Sequence, residues 1–305
     1  MLQTDNIAIL MAVYNGEKYI KEQIDSILSQ SCKDWELYIH DDGSSDGSME
    51  IIDEYCSKYP EKIHKISGEP TGAAKNNFLY LLRCVEAPFY MFCDQDDIWL
   101  EGKISKTYSA MKTLDCKKPA LVFTDLKVVD VNLNLISESM DKYQKLDCYD
   151  TSIKRVFIQN MCIGCTMMIN RVLRDRMIKT EKTDDVIMHD WWAALIAAEF
   201  GQMYFVDEPQ ILYRQHEDNC IGARRWGIKY VLGQSFQKKE IDRSLRNKEK
   251  QALYFSELYG LSDDDIVSRY GRIRQLSKIK RMLFYVGNHI YMKGFARNIG
   301  MFLYC

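Results

Sequence analysis

Residues 89–103 read FYMFCDQDDIWLEGK and contain the pattern that decides the fold. The apolar run at 89–93 predicts a buried strand, and Asp94, Asp96 and Asp97 follow it at once. Helical spacing then begins at residue 102. Three carboxylates so close together need a positive partner or full solvation, because like charges ~4 Å apart repel by about 4 kcal/mol at an effective dielectric near 20.

The alternation of apolar runs and helical patterns extends through the N-terminal half of the chain. Strands are predicted at residues 7–13, 36–40, 63–66, 89–93 and 120–124, and helices at 17–31, 48–58, 72–85 and 102–114. Further strands are predicted at 164–169 and 203–206, with a short helix at 190–199. The pattern predicts an α/β fold, with a mostly parallel sheet covered by helices on both faces, in which ligands bind beyond the carboxyl ends of the strands.

Composition sets limits on the class of protein. The 305 residues are 47% apolar and 28% charged, and the net charge of −2 gives no case for a nucleic-acid partner. Ten cysteines without a recognisable signal peptide predict reduced thiols in a cytoplasmic protein. Cys162 and Cys165 form a lone CxxC pair, which favours core thiols over a zinc site.

The C-terminal part differs in character from the rest. From Ile266 to the end there are eight Lys or Arg residues and no Asp or Glu. We therefore predict two regions, an α/β domain at residues 1–222 and a helical, basic region at residues 223–305.

Polar clusters follow three of the predicted strands and indicate one site. They are Tyr14-Asn15-Gly16, Asp41-Asp42-Gly43 and the segment from Asp94 to Asp97. Asp94 and Asp96 offer the oxygen ligands that Mg²⁺ or Mn²⁺ prefers, and the alternative is a solvated turn with a helix N-cap. In the second cluster an Asp could accept a base imide hydrogen beside Gly43. An EF-hand loop is disfavoured there because a strand precedes it.

Two later motifs suit the chemistry of such a site. Asp190 in HDWW is either a helix N-cap or a general base. Arg214 and His216 lie two positions apart, so an extended segment would point both toward a diphosphate and its metal; the alternative is a surface loop. The chain has no GxxxxGK[ST], GxGxxG or GxSxG motif, so phosphate would be held by a metal and basic side chains.

The motifs together resemble a known enzyme family. In order they read AVYNGEKYIKEQIDSILSQ, ELYIHDDGSSDGS, GAAKNN, CDQDDIWL, HDW and YRQH, and this set, spanning about residues 5 to 222, resembles family 2 glycosyltransferases of the GT-A fold. The motifs DQDDIW and YRQHxxNxIG are similar to those of bacterial rhamnosyltransferases of cell-surface polysaccharide synthesis. One departure is Glu101, where the family often has proline.

The resemblance implies roles for individual residues. The nucleotide would contact Ala12, Tyr14, Glu17, Asp41, Asp42, Lys75, Asn76, Asp94 and Gln95. Mn²⁺ or Mg²⁺ would be held by Asp94, Asp96 and His216. Asp190 would be the catalytic base, and Asp97, Trp99, Trp191 and Arg214 would lie near the diphosphate or the acceptor.

The resemblance also implies a reaction and its partners. We expect a metal-dependent, inverting transfer from a nucleotide-diphosphate sugar, with L-rhamnose from dTDP-rhamnose as the first candidate, to a hydroxyl of a growing, lipid-linked cell-surface polysaccharide. Alternatives are a UDP-hexose donor, a nucleotidyltransferase, or a catalytically idle nucleotide-sugar-binding subunit. A nucleotidyltransferase would usually open with a Gly-rich segment, which AVYNGEKY lacks. An idle copy would have no chemical reason to keep Asp94, Asp96, Asp190 and His216.

The same expectation places the enzyme in the cytoplasm, at the inner face of the cell membrane. The basic C-terminal region would either contact anionic lipid or pack on the main domain as a helical cap. The residues concerned are Lys278, Lys280, Arg281, Lys293 and Arg297, interleaved with Met282, Leu283, Phe284, Phe295 and Phe302.

Overall fold

Strand β1, Ile7–Val13, lies inside a mixed β-sheet in the computed structural model of the chain, which describes residues 6–216 and 236–304. The other strands are β2 Trp35–Asp41, β3 Ile63–Lys65, β4 Phe89–Asp94, β5 Ile98–Trp99, β6 Ala120–Val129, β7 Leu135–Ser137, β8 Met167–Asn170 and β9 Gln202–Arg214. Their order across the sheet is β3-β2-β1-β4-β8-β6-β9-β5, and β7 pairs with β6.

Helices connect and cover these strands. They are α1 Ile20–Leu28, α2 Ser48–Lys58, α3 Ala74–Cys84, α4 Lys103–Met111, α5 Met140–Gln144, α6 Ile153–Val156, α7 Arg171–Met177, α8 His189–Phe200, α9 Phe236–Tyr259, α10 Ile266–Gly271, α11 Lys278–Gly287 and α12 Phe295–Tyr304. Short 3₁₀ turns lie at Gly164–Thr166, Thr183–Asp185 and Ile273–Gln275.

Strand β1 supplies side chains to the core on both faces of the sheet. Leu10 packs in one cluster with Phe78 of α3, while Ile9 packs in another with Ile24 of α1. Successive strand residues point to opposite faces, so a strand covered on both sides is apolar throughout, as IAILMAV is. The predicted α/β architecture is confirmed.

The strand order reverses at β1. The chain builds outward through β2 to β3 in parallel pairings and then returns to place β4 on the other side of β1, again parallel. A reversal of this kind is a topological switch point, where a crevice opens beyond the carboxyl ends of the strands. The turns after β1, β2 and β4 therefore meet at one edge.

The second half of the sheet is mixed rather than continuing the parallel pattern. β8 runs antiparallel to both β4 and β6, and β5 runs antiparallel to β9, whereas β6 and β9 are parallel. β6 and β9 continue well past their predicted ends at residues 124 and 206, because they pair with each other across register shifts near Asp125. Helix α1 begins at Ile20 rather than residue 17, since residues 17–19 form a turn.

The C-terminal helices pack on the α/β core. Trp192 of α8 stacks on Tyr254 of α9 with ring centroids 5.6 Å apart, and Phe255 packs edge-on to the same indole. Gln251 Oε1 accepts a hydrogen bond from the backbone N–H of Ile187 at 2.8 Å. The predicted boundary at residue 222 falls in the segment 217–235, outside the described residues. Within the described ranges, no helix combines the length and apolarity needed to cross a membrane.

Candidate active site

The turns after β1 and β4 are joined by a reciprocal pair of hydrogen bonds. The backbone N–H of Tyr14 donates to Gln95 Oε1 at 2.8 Å, and Gln95 Nε2 donates to the Tyr14 carbonyl oxygen at 2.9 Å. Gly16 lies against the same amide, because a Cβ atom there would stand 2.6 Å from Gln95 Oε1. Ala12 pairs with Asp94 in the register. The predicted site residues Ala12, Tyr14, Asp94 and Gln95 thus lie together, and the Tyr14 side chain is exposed.

The turn after β2 is tied to the turn after β1. Asn15 adopts a positive φ of 49° and donates its N–H to Ser44 Oγ at 2.8 Å. The Glu17 N–H donates to Asp46 Oδ2 at 3.0 Å, and the Gly47 N–H donates back to Glu17 Oε2 at 3.0 Å. Ser44 and Asp46, which a calcium loop would need as ligands, instead accept hydrogen bonds in this network. The network holds the two turns together.

Asp41 and Asp42 both bind backbone N–H groups. Asp41 Oδ2 accepts from the N–H groups of Gly43 and Ser44 at 3.0 and 2.8 Å and so stabilises its own turn. Asp42 Oδ1 reaches across to the segment before α3 and accepts from the backbone of Thr71, and from that of Gly72 at 3.3 Å. Asp42 therefore connects the β2 turn with the GAAKNN segment, and its contact with a base stays a prediction.

Lys75 and Asn76 lie at the start of α3, and Lys75 is directed toward the segment before α8. Lys75 Nζ donates to the carbonyl oxygens of Thr183 and Val186, each at 2.6 Å. Asn76 Nδ2 donates to the Thr71 carbonyl at 3.2 Å, while its buried Oδ1 has no hydrogen-bond partner in the described part of the chain. In this geometry Lys75 holds the segment that precedes Asp190. Its contact with the nucleotide stays a prediction.

The carboxylate cluster after β4 meets the end of β9. His216 Nε2 lies 2.8 Å from Asp96 Oδ2, and the backbone N–H of Arg214 donates to Asp97 Oδ1 at 3.2 Å. Arg214 Nε also donates to the Asp96 carbonyl oxygen at 3.0 Å. The predicted extended segment is therefore present, and it brings His216 and Arg214 to the acid cluster.

The Arg214 guanidinium serves as a brace within the protein. One terminal nitrogen forms an ion pair with Glu22 of α1, and the other donates to the Val131 carbonyl at 3.0 Å. Its planar group lies 4.6 Å from the centroid of the Tyr19 ring. The side chain is buried, so the geometry assigns it to holding α1, the acid turn and β9 together rather than to the open edge where a diphosphate would lie.

Burial and mutual repulsion change the ionisation of the carboxylates. Burial, with the charges of Asp96 and Asp190 as further causes, raises the pKa of Asp94 to about 7. Burial and the charges of Asp96 and Asp94 raise the pKa of the fully buried Asp97 well above its usual range.

A buried lysine, not singled out in the sequence analysis, lies beside the acid cluster. Lys103, the first residue of α4, is fully buried, and its Nζ lies 4.6 Å from the centroid of the Trp99 ring. Burial lowers its pKa to about 8, although the charge of Asp97 acts in the opposite direction. Trp99 itself is only 2% exposed, so it contributes to the core beneath the site. The sequence feature that could have identified Lys103 is its inward position at the start of α4, four residues after Trp99.

The candidate metal ligands near the acid cluster differ in how well they suit Mn²⁺ or Mg²⁺. In the described residues, Asp94, Asp97 and Cys165 form a group whose candidate ligand atoms lie within 4.8 Å of one another. Burial raises the pKa of the Cys165 thiol well above its usual range, and these cations prefer oxygen to sulfur. Asp96 contacts His216, and this carboxylate and imidazole are donors of the kinds that these cations accept. Among the described residues, the group with ligand atoms within 4.8 Å of one another contains neither of them.

Asp190 lies in the first turn of α8 and accepts hydrogen bonds from backbone N–H groups. Its Oδ2 accepts from Gly164 at 3.2 Å and its Oδ1 from Trp191 at 2.5 Å. Burial raises its pKa to about 6, while these bonds and one to the Asn160 side chain oppose the rise. A buried carboxylate with this pKa is largely ionised at neutral pH and can accept a proton.

The residues on either side of Asp190 are packed into the core. His189 lies between the rings of Phe78 and Phe92, and burial lowers its pKa to about 3. Trp191 donates its indole N–H to the Val156 carbonyl at 2.6 Å. Both side chains fix the orientation of the first turn of α8, and the nearly buried Trp191 exposes 9% of its surface.

Comparison with known proteins identifies related sequences. The family model described as "Glycosyl transferase family 2" matches residues 8–176. The "dTDP-rhamnosyl transferase RfbG" of Shigella flexneri is 32% identical over 231 residues, which are 70% of this chain and 74% of that protein. The "Putative teichuronic acid biosynthesis glycosyltransferase TuaG" of Bacillus subtilis is 27% identical over 72% of this chain and 82% of that protein.

Solved structures with a similar fold include TarS 1-349 of S. aureus. Its complex with UDP-GlcNAc superposes with a TM-score of 0.56 at 16% identity, covering 81% of this chain and 66% of that one. Another crystal structure of TarS 1-349 gives a TM-score of 0.57 at 15% identity, covering 93% and 73% respectively. The likeness confirms the expected GT-A fold.

Proposed function

This chain belongs to glycosyl transferase family 2, and from that premise we propose that it transfers a sugar from a nucleoside diphosphate to an acceptor hydroxyl, with inversion at the anomeric carbon. The observation that carries the proposal is that the turn Gly164–Thr166 contacts both groups, Asp190 and the acid cluster. The Gly164 N–H binds Asp190 Oδ2 at 3.2 Å, and the Cys165 Sγ lies within 4.8 Å of carboxylate oxygens of Asp94 and Asp97. This arrangement would bring a proton acceptor and a cation-binding pair into one site.

Asp190 would act as the general base. Its carboxylate takes the proton of the acceptor hydroxyl while that oxygen forms the new bond to the anomeric carbon, and the bond from this carbon to the diphosphate oxygen breaks. Hydrogen bonds from the Gly164 and Trp191 backbone hold the carboxylate in one orientation. One displacement of this kind inverts configuration and needs no covalent intermediate.

Asp94, Asp96 and His216 would hold Mn²⁺ or Mg²⁺ with the donor diphosphate. A bound cation would neutralise the negative charge that develops on the leaving nucleoside diphosphate. The two carboxylates and the imidazole fit this use, and a cation would also relieve the repulsion that raises the pKa of Asp94.

The nucleotide would lie against the turns after β1 and β2. Tyr14 is an exposed aromatic side chain at this edge. Ala12 lies at the end of β1, and hydrogen bonds hold Glu17 and Asp41 in the turns after β1 and β2, next to Asp42. We propose dTDP-rhamnose as the donor because the relative from Shigella flexneri is named a dTDP-rhamnosyl transferase. A UDP-hexose is the alternative donor.

The acceptor would be a hydroxyl of a lipid-linked, growing cell-surface polysaccharide. The name of the Bacillus subtilis relative refers to teichuronic acid biosynthesis, which supports a polysaccharide acceptor. We also propose the division into residues 1–222 and 223–305; the family match, residues 8–176, lies within the first of these. An enzyme acting on such an acceptor would work in the cytoplasm, at the inner face of the membrane.

The proposal is tested by thermal unfolding with dTDP-rhamnose, UDP-glucose, UDP-galactose or UDP-N-acetylglucosamine, each with and without Mn²⁺. A ligand present at 100 times its dissociation constant adds about 2.7 kcal/mol to the free energy of unfolding. Metal-dependent stabilisation by one donor, lost in Asp96→Asn and kept in Asp190→Asn, is the expected result. No stabilisation by any of the four donors in the presence of Mn²⁺ would overturn the assignment of this edge as the donor site.

A further inference from the structure

Helix α11 presents apolar side chains on the surface as well as in the core. Phe284 and Tyr285 face inward and are 5% and 0% exposed. Ile279, Leu283 and Val286 are 73%, 64% and 50% exposed. Their spacing of four and three residues places them on one stripe of the helix, so α11 has a second apolar face that the described protein does not cover.

Helix α12 repeats this arrangement. Met301 is fully buried, whereas Phe295, Ile299 and Leu303 are 83%, 38% and 57% exposed at successive intervals of four residues. Large exposed apolar side chains are common singly, but two such stripes on neighbouring helices indicate an interaction surface.

The two stripes lie on neighbouring helices, because α11 and α12 contact each other. Lys278 Nζ donates to the Leu303 carbonyl oxygen at 2.9 Å, which brings the start of α11 beside the end of α12. The rings of Tyr285 and Phe302 are 6.1 Å apart and pack edge to face. Contacts of Arg297 with the carbonyl oxygens of Gln144 and Lys145 fix α12 to the main body.

Positive charge surrounds these apolar stripes. Residues 278–305 contain five Lys or Arg residues and no Asp or Glu. Lys278, Lys280 and Lys293 are exposed, and Lys280 lies next to Ile279 at the outer stripe of α11. An apolar surface with a basic rim matches an anionic bilayer, where apolar side chains enter the acyl boundary and cations meet headgroups.

We propose that this α11–α12 surface docks the protein on the surface of a membrane containing anionic lipid. Each helix has ten residues, too few to span a bilayer, so both would lie in the plane of the interface. A second copy fits the surface poorly, because a two-fold interface would bring the exposed cations of the two helices against the same cations of the partner, and α11 and α12 contain no carboxylate. Docking rests on this surface alone and does not require the proposed sugar transfer.

The test is flotation of the full chain with lipid vesicles, without donor or metal. Vesicles of phosphatidylcholine containing about 30% phosphatidylglycerol should bind the protein, pure phosphatidylcholine should bind at least tenfold less, and high salt should weaken the anionic binding. The variant Ile279→Asp/Leu283→Asp should lose at least tenfold in vesicle affinity. Both positions are exposed, so its unfolding temperature should stay unchanged.

The matched control is Leu135→Asp/Ile136→Asp, which changes two exposed apolar residues around β7 and should bind vesicles like the wild type. Equal binding by the α11 variant and the wild type would overturn the proposal. So would failure of the wild type to bind anionic vesicles, or a dimer in light scattering that the α11 variant abolishes. Vesicle binding with no sugar transfer would leave docking intact and reject only the proposed reaction.

Discussion

His216 Nε2 lies 2.8 Å from Asp96 Oδ2, although 120 positions separate the two residues in the chain. The contact exists because β9 returns beside the acid turn, where the Arg214 backbone N–H binds Asp97. In the proposed donor complex the same two side chains would bind the cation, so their pairing keeps both of them at the metal position.

Asp96→Asn and His216→Ala should weaken metal-dependent nucleotide binding. Interactions with charged groups contribute about 1.5–3 kcal/mol, so each change should raise the apparent dissociation constant of UDP or dTDP with Mn²⁺ by about ten- to a hundredfold. Titration calorimetry measures this. Asp53→Asn, which changes an exposed carboxylate on α2, is the matched control and should bind nucleotide like the wild type. Unchanged nucleotide affinity in Asp96→Asn would show that Asp96 is not a metal ligand.

Asp190→Asn should lose turnover while keeping nucleotide affinity. General-base catalysis contributes about 10²–10⁴-fold to rate, and the amide retains the size of the side chain without accepting the proton. Single-turnover transfer assays, together with nucleotide titrations, separate the two quantities. Asp184→Asn changes an exposed carboxylate six residues earlier and should behave like the wild type. If the Asp190 variant keeps more than a tenth of the wild-type turnover, the base is another group.

The pH dependence of transfer should report the Asp190 carboxylate. Its raised pKa of about 6 means that protonation removes the base form below that pH. We expect kcat/KM to fall about tenfold per pH unit below pH 6, because a single proton inactivates the free enzyme. A profile measured at saturating Mn²⁺ that stays flat down to pH 4.5 would contradict the assignment. The same raised pKa implies that ionised Asp190 costs folding stability as the pH rises from the ordinary Asp pKa through about 6.

Lys103→Met should destabilise the fold, and more strongly at higher pH. Removing one member of a buried ionic cluster leaves an uncompensated charge and typically costs about 3–5 kcal/mol. Because the pKa of Asp97 is already raised by burial, Asp97 binds a proton at low pH and the loss should shrink there. Urea unfolding at pH 5.5 and pH 7 measures the difference, because Lys103 with its pKa of about 8 keeps its charge at both pH values.

The control for Lys103 is Lys106→Met on the same helix. Lys106 pairs with Glu208 at the surface, and exposed pairs of this kind contribute about 0–1 kcal/mol. Equal losses in the two variants, or no dependence on pH for Lys103→Met, would show that Lys103 does not balance the cluster.

Local pattern was enough to predict most N-terminal elements. Helix α2 has the predicted bounds, and β4 extends the predicted strand by one residue, because their periodicity and turn residues are contained within the segments. The joining of three polar clusters at one edge also followed, since the carboxyl ends of parallel strands lie on the same side of a sheet. The antiparallel pairing of β8 did not follow, because pairing depends on partners far away in the chain.

The sequence by itself therefore determined the α/β class, the family and the residue types of the site. Only the tertiary structure decided what each side chain contacts: Arg214 pairs with Glu22 across 192 positions, and Lys103 is buried against the Trp99 ring. It also divided the C-terminal helices into a face that packs on the core and a face that stays exposed. Periodicity shows that a helix has an apolar side, but burial of that side depends on which other surfaces the folded chain brings against it.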